Sequence, residues 1–227
     1  GRAVERTFYQ RTTCLYMKTV IIICEGPTEE VFCSNLLSQY LQNSCRIEIR
    51  LLGGNCNWQR IKDMVEKALK QQKNALVTTF FDYYGVKTKK FPNWKETVGI
   101  NKANVRERIE ILENGMLEEI DSNLRYRFIP YVQLHEFEAL LFNNIEVFDE
   151  MFEFEQYDRA ELLNIFNEFP DPEMIDQGTE TSPSHRLIKI IPAYRKVIQG
   201  NAIAEKIGIE QIRQKNKHFN DWIEQLI

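Results

Sequence analysis

No stretch of the 227-residue sequence approaches the ~20 consecutive apolar residues of a membrane-spanning helix. The first residues also lack the basic, apolar, small-residue order of a secretory signal. No membrane association is therefore expected, and the expected location is soluble and cytoplasmic. The five cysteines, Cys14, Cys24, Cys33, Cys45 and Cys56, are odd in number and never stand at CxxC spacing. That spacing removes a disulfide framework and a zinc site and leaves reduced intracellular thiols. No cysteine or second histidine stands at ligand spacing to His135, which reads as a histidine hydrogen-bonded at a strand end. Positive charge is in deficit as well, with a formal net charge of −4. Any nucleic-acid binding must then rely on local basic patches. No internal repeat or low-complexity segment is evident.

What remains is enough to bury a sizeable core, with 43% hydrophobic residues. Residues 1–16 are polar and weakly periodic, Met17 looks like a natural start, and the earlier residues are read as upstream or added sequence. Residues 17–145 are expected to form one α/β domain and residues 146–227 a helical extension packed on it. Charge is uneven. Between Glu146 and Asp176 eleven acids face one base, Arg159, a solvated face that would repel a polyanion.

Residues 19–24 form a continuous, largely β-branched run, the pattern of a strand buried on both faces in a parallel sheet. A helix should follow, capped by Thr28, favoured by Glu29 and Glu30 in its first turn, with Val31, Phe32, Leu36, Leu37, Tyr40 and Leu41 as its apolar stripe. Ile47, Ile49 and Leu51 alternate with polar residues, and the strand stops at Gly53-Gly54-Asn55. Ile61, Met64, Val65, Ala68 and Leu69 mark the clearest helix. A second buried strand spans 75–81, a helix surrounds Val105, Ile109, Leu112 and Ile120, and a fourth strand is expected near 126–134. From Ile145 onward only helical periodicity appears. The fold class is a mostly parallel central sheet flanked by helices, with a C-terminal helical extension.

Three acids, Glu25, Asp82 and Glu136, each follow a predicted strand, and parallel strands bring such positions to one sheet edge, where open α/β sheets place ligands. Convergent hard oxygens suit Mg²⁺ or Mn²⁺. Such an ion can activate a water and neutralise charge on a displaced phosphodiester oxygen. Glu29, four residues after Glu25, stays on the same side as the helix begins. Gly26 lets backbone approach a ligand, and the helix start at Thr28 offers N–H donors to a phosphate.

Glu25-Gly26-Pro27-Thr28-Glu29 after a hydrophobic strand, with Asp82 ending a later one, resembles the TOPRIM domain shared by topoisomerases, primases and overcoming-lysogenization-defect nucleases. The segments 81–85 (FDYYG), 135–142 (HEFEALLF) and 183–187 (PSHRL) together resemble a bacterial TOPRIM-like family of unknown function, often encoded beside ABC-type or SMC-like ATPases. The resemblance implies a Mg²⁺- or Mn²⁺-dependent nuclease acting on DNA or RNA, the effector of an ATPase-containing antiviral defence system. It makes Glu25 the acid/base or first metal ligand, Glu29 a second ligand, and Asp82 the opening of a DxD motif. Tyr84 stands where the second aspartate belongs, and a phenol does not replace a carboxylate as a ligand at neutral pH. Either Glu136 or Glu138 restores the missing charge, or the domain binds an ATPase or nucleic acid without cutting. Homo-oligomerisation stays open.

Plainer readings stand beside these. Glu25 alone could be a surface carboxylate beside a cap, and Asp82 could start a turn before Gly85. Lys87, Lys89, Lys90 and Lys95 around Phe91 and Trp94 suit a phosphate backbone and an unpaired base, or a solvated loop anchored by its aromatics. Basic residues in the first turn after Ser182-Pro183 oppose the helix dipole and hint at an anion there. Arg186 and Lys189 are candidates for substrate phosphates, or for a salt bridge to the acidic block. Phe219, Trp222, Ile223 and Leu226 read as packing residues.

Overall fold

The computed structural model describes residues 17–54, 56–86, 90–101, 103–175 and 178–227. Strands β1 (Lys18–Cys24), β2 (Cys45–Leu51), β3 (Leu76–Phe80) and β4 (Phe128–Ile129) form one all-parallel sheet in the order β2-β1-β3-β4. Each parallel pairing needs a crossover, supplied by the helical run from Pro27 to Leu41, by Trp58–Gln71 and by Val105–Glu119. Cys24 lies opposite both Leu51 and Phe80, so three strands end level at the carboxyl edge.

Period-two alternation in β1 divides two cores. Ile21 and Ile23 join Trp58, Ile61, Val65, Ile109, Leu112 and Met116 on one face. Val20, Ile22 and Cys24 join Phe32, Phe80, Tyr131 and the C-terminal helices on the other. Residues after 145 therefore build the second covering layer. Trp222, on the helix Lys217–Leu226, stacks on Tyr131 at 4.3 Å and on Phe80 at 5.4 Å, and its indole N–H donates to Thr78 Oγ1 at 2.8 Å. Cys24, Cys33, Cys45 and Cys56 are buried free thiols. No helix among the described residues is long and apolar enough to cross a membrane.

The fourth strand is far shorter than the sequence pattern predicts. Pro130 has no N–H to donate, so the ladder stops at Ile129. Thr79 repairs the gap: its hydroxyl donates to the Tyr131 carbonyl at 2.8 Å and accepts the Tyr131 N–H at 2.9 Å. Parallel pairing then resumes as a single bridge between Asp82 and Gln133.

The first helix also departs from expectation. Its N-cap is Gly26, not Thr28, because Pro27, lacking an N–H, takes the first helical position. The helix is α over Pro27–Val31, π over Phe32–Leu37 and α again over Ser38–Leu41. A second π segment, Lys196–Gly200, runs into the helix Asn201–Ile207. The two are tied by Asn201 Nδ2, which donates to the Thr28 carbonyl at 3.2 Å. π segments often accompany functional sites.

Candidate functional site

The end of β1 delivers Glu25, whose backbone N–H reaches the Phe80 carbonyl at 3.4 Å. One turn later Glu29 folds back, and its Oε2 accepts the Gly26 N–H at 3.1 Å. That bond closes the first turn of the helix on itself. Thr28 is buried. Asp82, just past β3, is 7% exposed. Its Oδ1 accepts the Phe137 N–H at 2.8 Å, which aims Oδ2 along the sheet edge. Its backbone carbonyl does start a turn, accepting from Gly85 N at 2.9 Å, but the side chain points elsewhere.

Asp82 Oδ2 lies 2.9 Å from the ammonium of Lys196. Glu138 Oε2 lies 3.2 Å and Glu29 Oε1 3.9 Å from the same nitrogen. Three carboxylates from three segments thus surround one cation supplied by the second π segment. Glu25 borders the group. A side chain at Gly85 would bring its Cβ to 2.9 Å from Glu25 Oε2, so glycine at this position leaves room for that carboxylate. The Cys56 thiol is hydrogen-bonded to Glu25, and burial first, then the charge of Glu25, pushes that thiol well above its ordinary range.

Desolvation also raises the carboxyls of Asp82, Glu29 and Glu138, each against the pull of Lys196. Burial alone would lower Lys196, but Asp82, Glu138 and Glu29 together hold it above its usual value. Glu138 is fully buried in the short 3₁₀ turn Phe137–Leu141. Its Oε1 accepts the Tyr194 hydroxyl at 3.3 Å, while Oε2 lies 3.2 Å from the Lys196 ammonium.

Glu136 turns away. Its Oε2 accepts the Ser184 N–H at 2.9 Å, at the start of the helix Pro183–Ile190. The anion hinted at by the basic residues of that helix is thus an internal carboxylate. The turn conformation parts Glu136 from Glu138, and only Glu138 joins Asp82 and Glu29.

The basic candidates lie elsewhere. Lys87 and Lys89 fall outside the described residues. Lys90 is exposed, but Phe91 is buried against Trp58 at 5.5 Å and Phe81 at 6.3 Å, so this aromatic anchors the loop to the core. Trp94 is partly buried and packs on Tyr83. Arg186 donates to the Thr181 carbonyl at 2.7 Å and lies over the Phe169 ring. Lys189 is 3.6 Å from Glu161 in the acidic block. His135 is buried with Nε2 2.9 Å from the Glu173 carbonyl, and burial lowers its pKa. Lys196 carried no signal in the sequence, since 114 residues separate it from Asp82.

As a class, this is an α/β protein with a parallel sheet and a buried acidic group at the carboxyl edge. The chain belongs to the family described as a domain of unknown function (DUF4276), whose model matches residues 24–227. Among solved structures, two of the C-terminal region of the Xanthomonas campestris pv. campestris OLD protein, phased with mercury and with platinum, resemble it. Identity is 17% and 18%, and TM-scores are 0.42 and 0.41. The matches cover 93% and 92% of this chain and 98% and 95% of those chains. No curated protein matches the sequence.

Proposed function

We propose that this chain is a TOPRIM-like, metal-dependent phosphodiesterase that cleaves DNA or RNA at the carboxyl edge of its sheet. The observation that carries the reading is the convergence of Glu29, Asp82 and Glu138 on one cation-filled point, bordered by Glu25.

The donor set fits a hard divalent ion. All four groups offer carboxylate oxygens, and the fully buried Glu138 turns its Oε2 to the point where the Lys196 ammonium sits. In the arrangement described, the carboxylates are spaced around an ammonium, and no group of three acidic, cysteine or histidine residues among the described residues is close enough to share an ion. Glu25, Glu29, Asp82 and Glu138 are the residues that would hold Mg²⁺ or Mn²⁺. Such an ion supplies an activated water and charge neutralisation on the scissile phosphate. Glu25, partly exposed beside Gly85, is the carboxylate placed to exchange a proton with solvent or a leaving oxygen. Asp82, held by the Phe137 N–H, and Glu138, held by Tyr194, are fixed in orientation.

One observation favours a second reading, a module that binds without cutting: Tyr84 occupies the place of the second aspartate. The ABC-type or SMC-like ATPase partner, the defence role, the cytoplasmic location and the assignment of residues 146–227 as an extension of a 17–145 domain are proposed on the sequence reading. The test is incubation with plasmid and tRNA in Mn²⁺ or Mg²⁺, with and without an ATPase encoded beside the gene. Cleavage should vanish with EDTA and fall about a thousandfold in Asp82→Ala and Glu25→Ala, a loss of several kcal/mol of transition-state stabilisation. Cleavage unchanged by both substitutions sinks the site assignment; retained polymer binding without cleavage selects the second reading.

A further inference from the structure

We propose that Lys196 is a built-in counter-ion that occupies the place of the divalent cation, neutralises the carboxylates until the ion arrives, and thereby sets the metal concentration at which the site fills. The proposal rests on the metal reading above and goes beyond it by assigning a residue that controls metal entry.

Four observations support it. The Lys196 ammonium is within 4 Å of Glu29, Asp82 and Glu138, which come from three other segments of the chain. Glu138 is fully buried, and its Oε2 lies 3.2 Å from this nitrogen. A buried carboxylate oxygen is costly unless a cation sits beside it. The lysine side chain is still 35% exposed, so it has an outlet to solvent that the carboxylates lack. Its backbone opens a short π segment in which Val197 and Ile198 are exposed. A lysine is suited to this exchange, since its flexible stem releases a point charge without breaking a bidentate fork.

Charge decides the direction of the effect. A monovalent ammonium and a divalent ion compete for the same oxygens, and removing the ammonium removes a competitor and adds net negative charge at the site.

Mn²⁺ binding by the full chain, followed by electron paramagnetic resonance, should tighten by about tenfold or more in Lys196→Met. Equal or weaker binding in that variant, with binding intact in the unmodified protein, overturns the lysine assignment alone. Absence of Mn²⁺ binding in both proteins overturns the metal reading and this proposal with it. Because Lys196→Met leaves three buried acids without their cation and risks misfolding, a second measurement uses the unmodified protein. Amine labelling read by mass spectrometry should modify Lys196 slowly in EDTA and several-fold faster with Mn²⁺ bound. Unchanged labelling at saturating Mn²⁺ overturns the exchange.

Discussion

Glu173 and Glu138 are both withdrawn from solvent, at 1% and 0% exposure, and they are served very differently. Glu173 Oε2 accepts Arg106 Nε at 2.8 Å, and Oε1 accepts the His218 and Phe219 N–H groups at 2.7 and 3.3 Å. Those two N–H groups open the C-terminal helix, where a carboxylate satisfies donors that lack an intrahelical partner. Nearby Glu113 accepts the Val132 N–H at 2.8 Å and lies 3.0 Å from His218 Nε2. Glu138 has one long bond from Tyr194 and otherwise shares a lysine with two other acids. Where each buried oxygen has its own donor, the group stabilises the fold. Where several oxygens share one cation, the group is short of positive charge.

Substitutions on the two sides should therefore separate activity from stability. In the acidic site, Glu138→Gln should abolish nucleic-acid cleavage by about a thousandfold while changing stability by less than about 1 kcal/mol, because Lys196 keeps Asp82 and Glu29. Cleavage assays beside urea denaturation check both halves, and a large stability loss with retained cleavage would erase the contrast. In the structural group, Glu173→Ala should cost about 3 kcal/mol by urea denaturation, since it strips two helix-opening donors and Arg106 Nε of their acceptor and leaves that guanidinium only Asp171. Cleavage per folded molecule should stay unchanged.

The smallest effect concerns His218. Burial alone would lower its pKa, but Glu113 above all, then Glu173 and Glu110, hold it above the ordinary 6.5. A raised folded value means that its stabilising contribution is complete below about 6.5 and disappears as pH rises through the folded pKa. Stability of the unmodified protein should fall across that window, and His218→Gln should lack the step. Urea midpoints measured from pH 6 upward decide it; identical profiles would show that the ring is not charged in the folded state.

Much of this arrangement is legible in the residue pattern. The β-branched run of β1, the alternation in β2 and the apolar spacing of the Trp58–Gln71 helix reflect local periodicity, and parallel strands necessarily place Glu25 and Asp82 at one edge. The truncation of β4 is also written locally, in Pro130. The helix start moved to Gly26 for the same kind of reason, through Pro27.

Other features have no local signature. Whether Glu136 or Glu138 joins Asp82 depends on the backbone leaving extended geometry at residue 137, and Glu136 instead meets Ser184, 48 residues away. Lys196 is one of many basic residues until the C-terminal helices cover the sheet and lower its segment onto the acids. By itself, the sequence determined the strands, their common direction and the acidic corners, because those follow from side-chain periodicity and crossover geometry. The tertiary structure alone decided which acids meet and which cation they share, because burial and charge pairing depend on residues brought together across the whole chain.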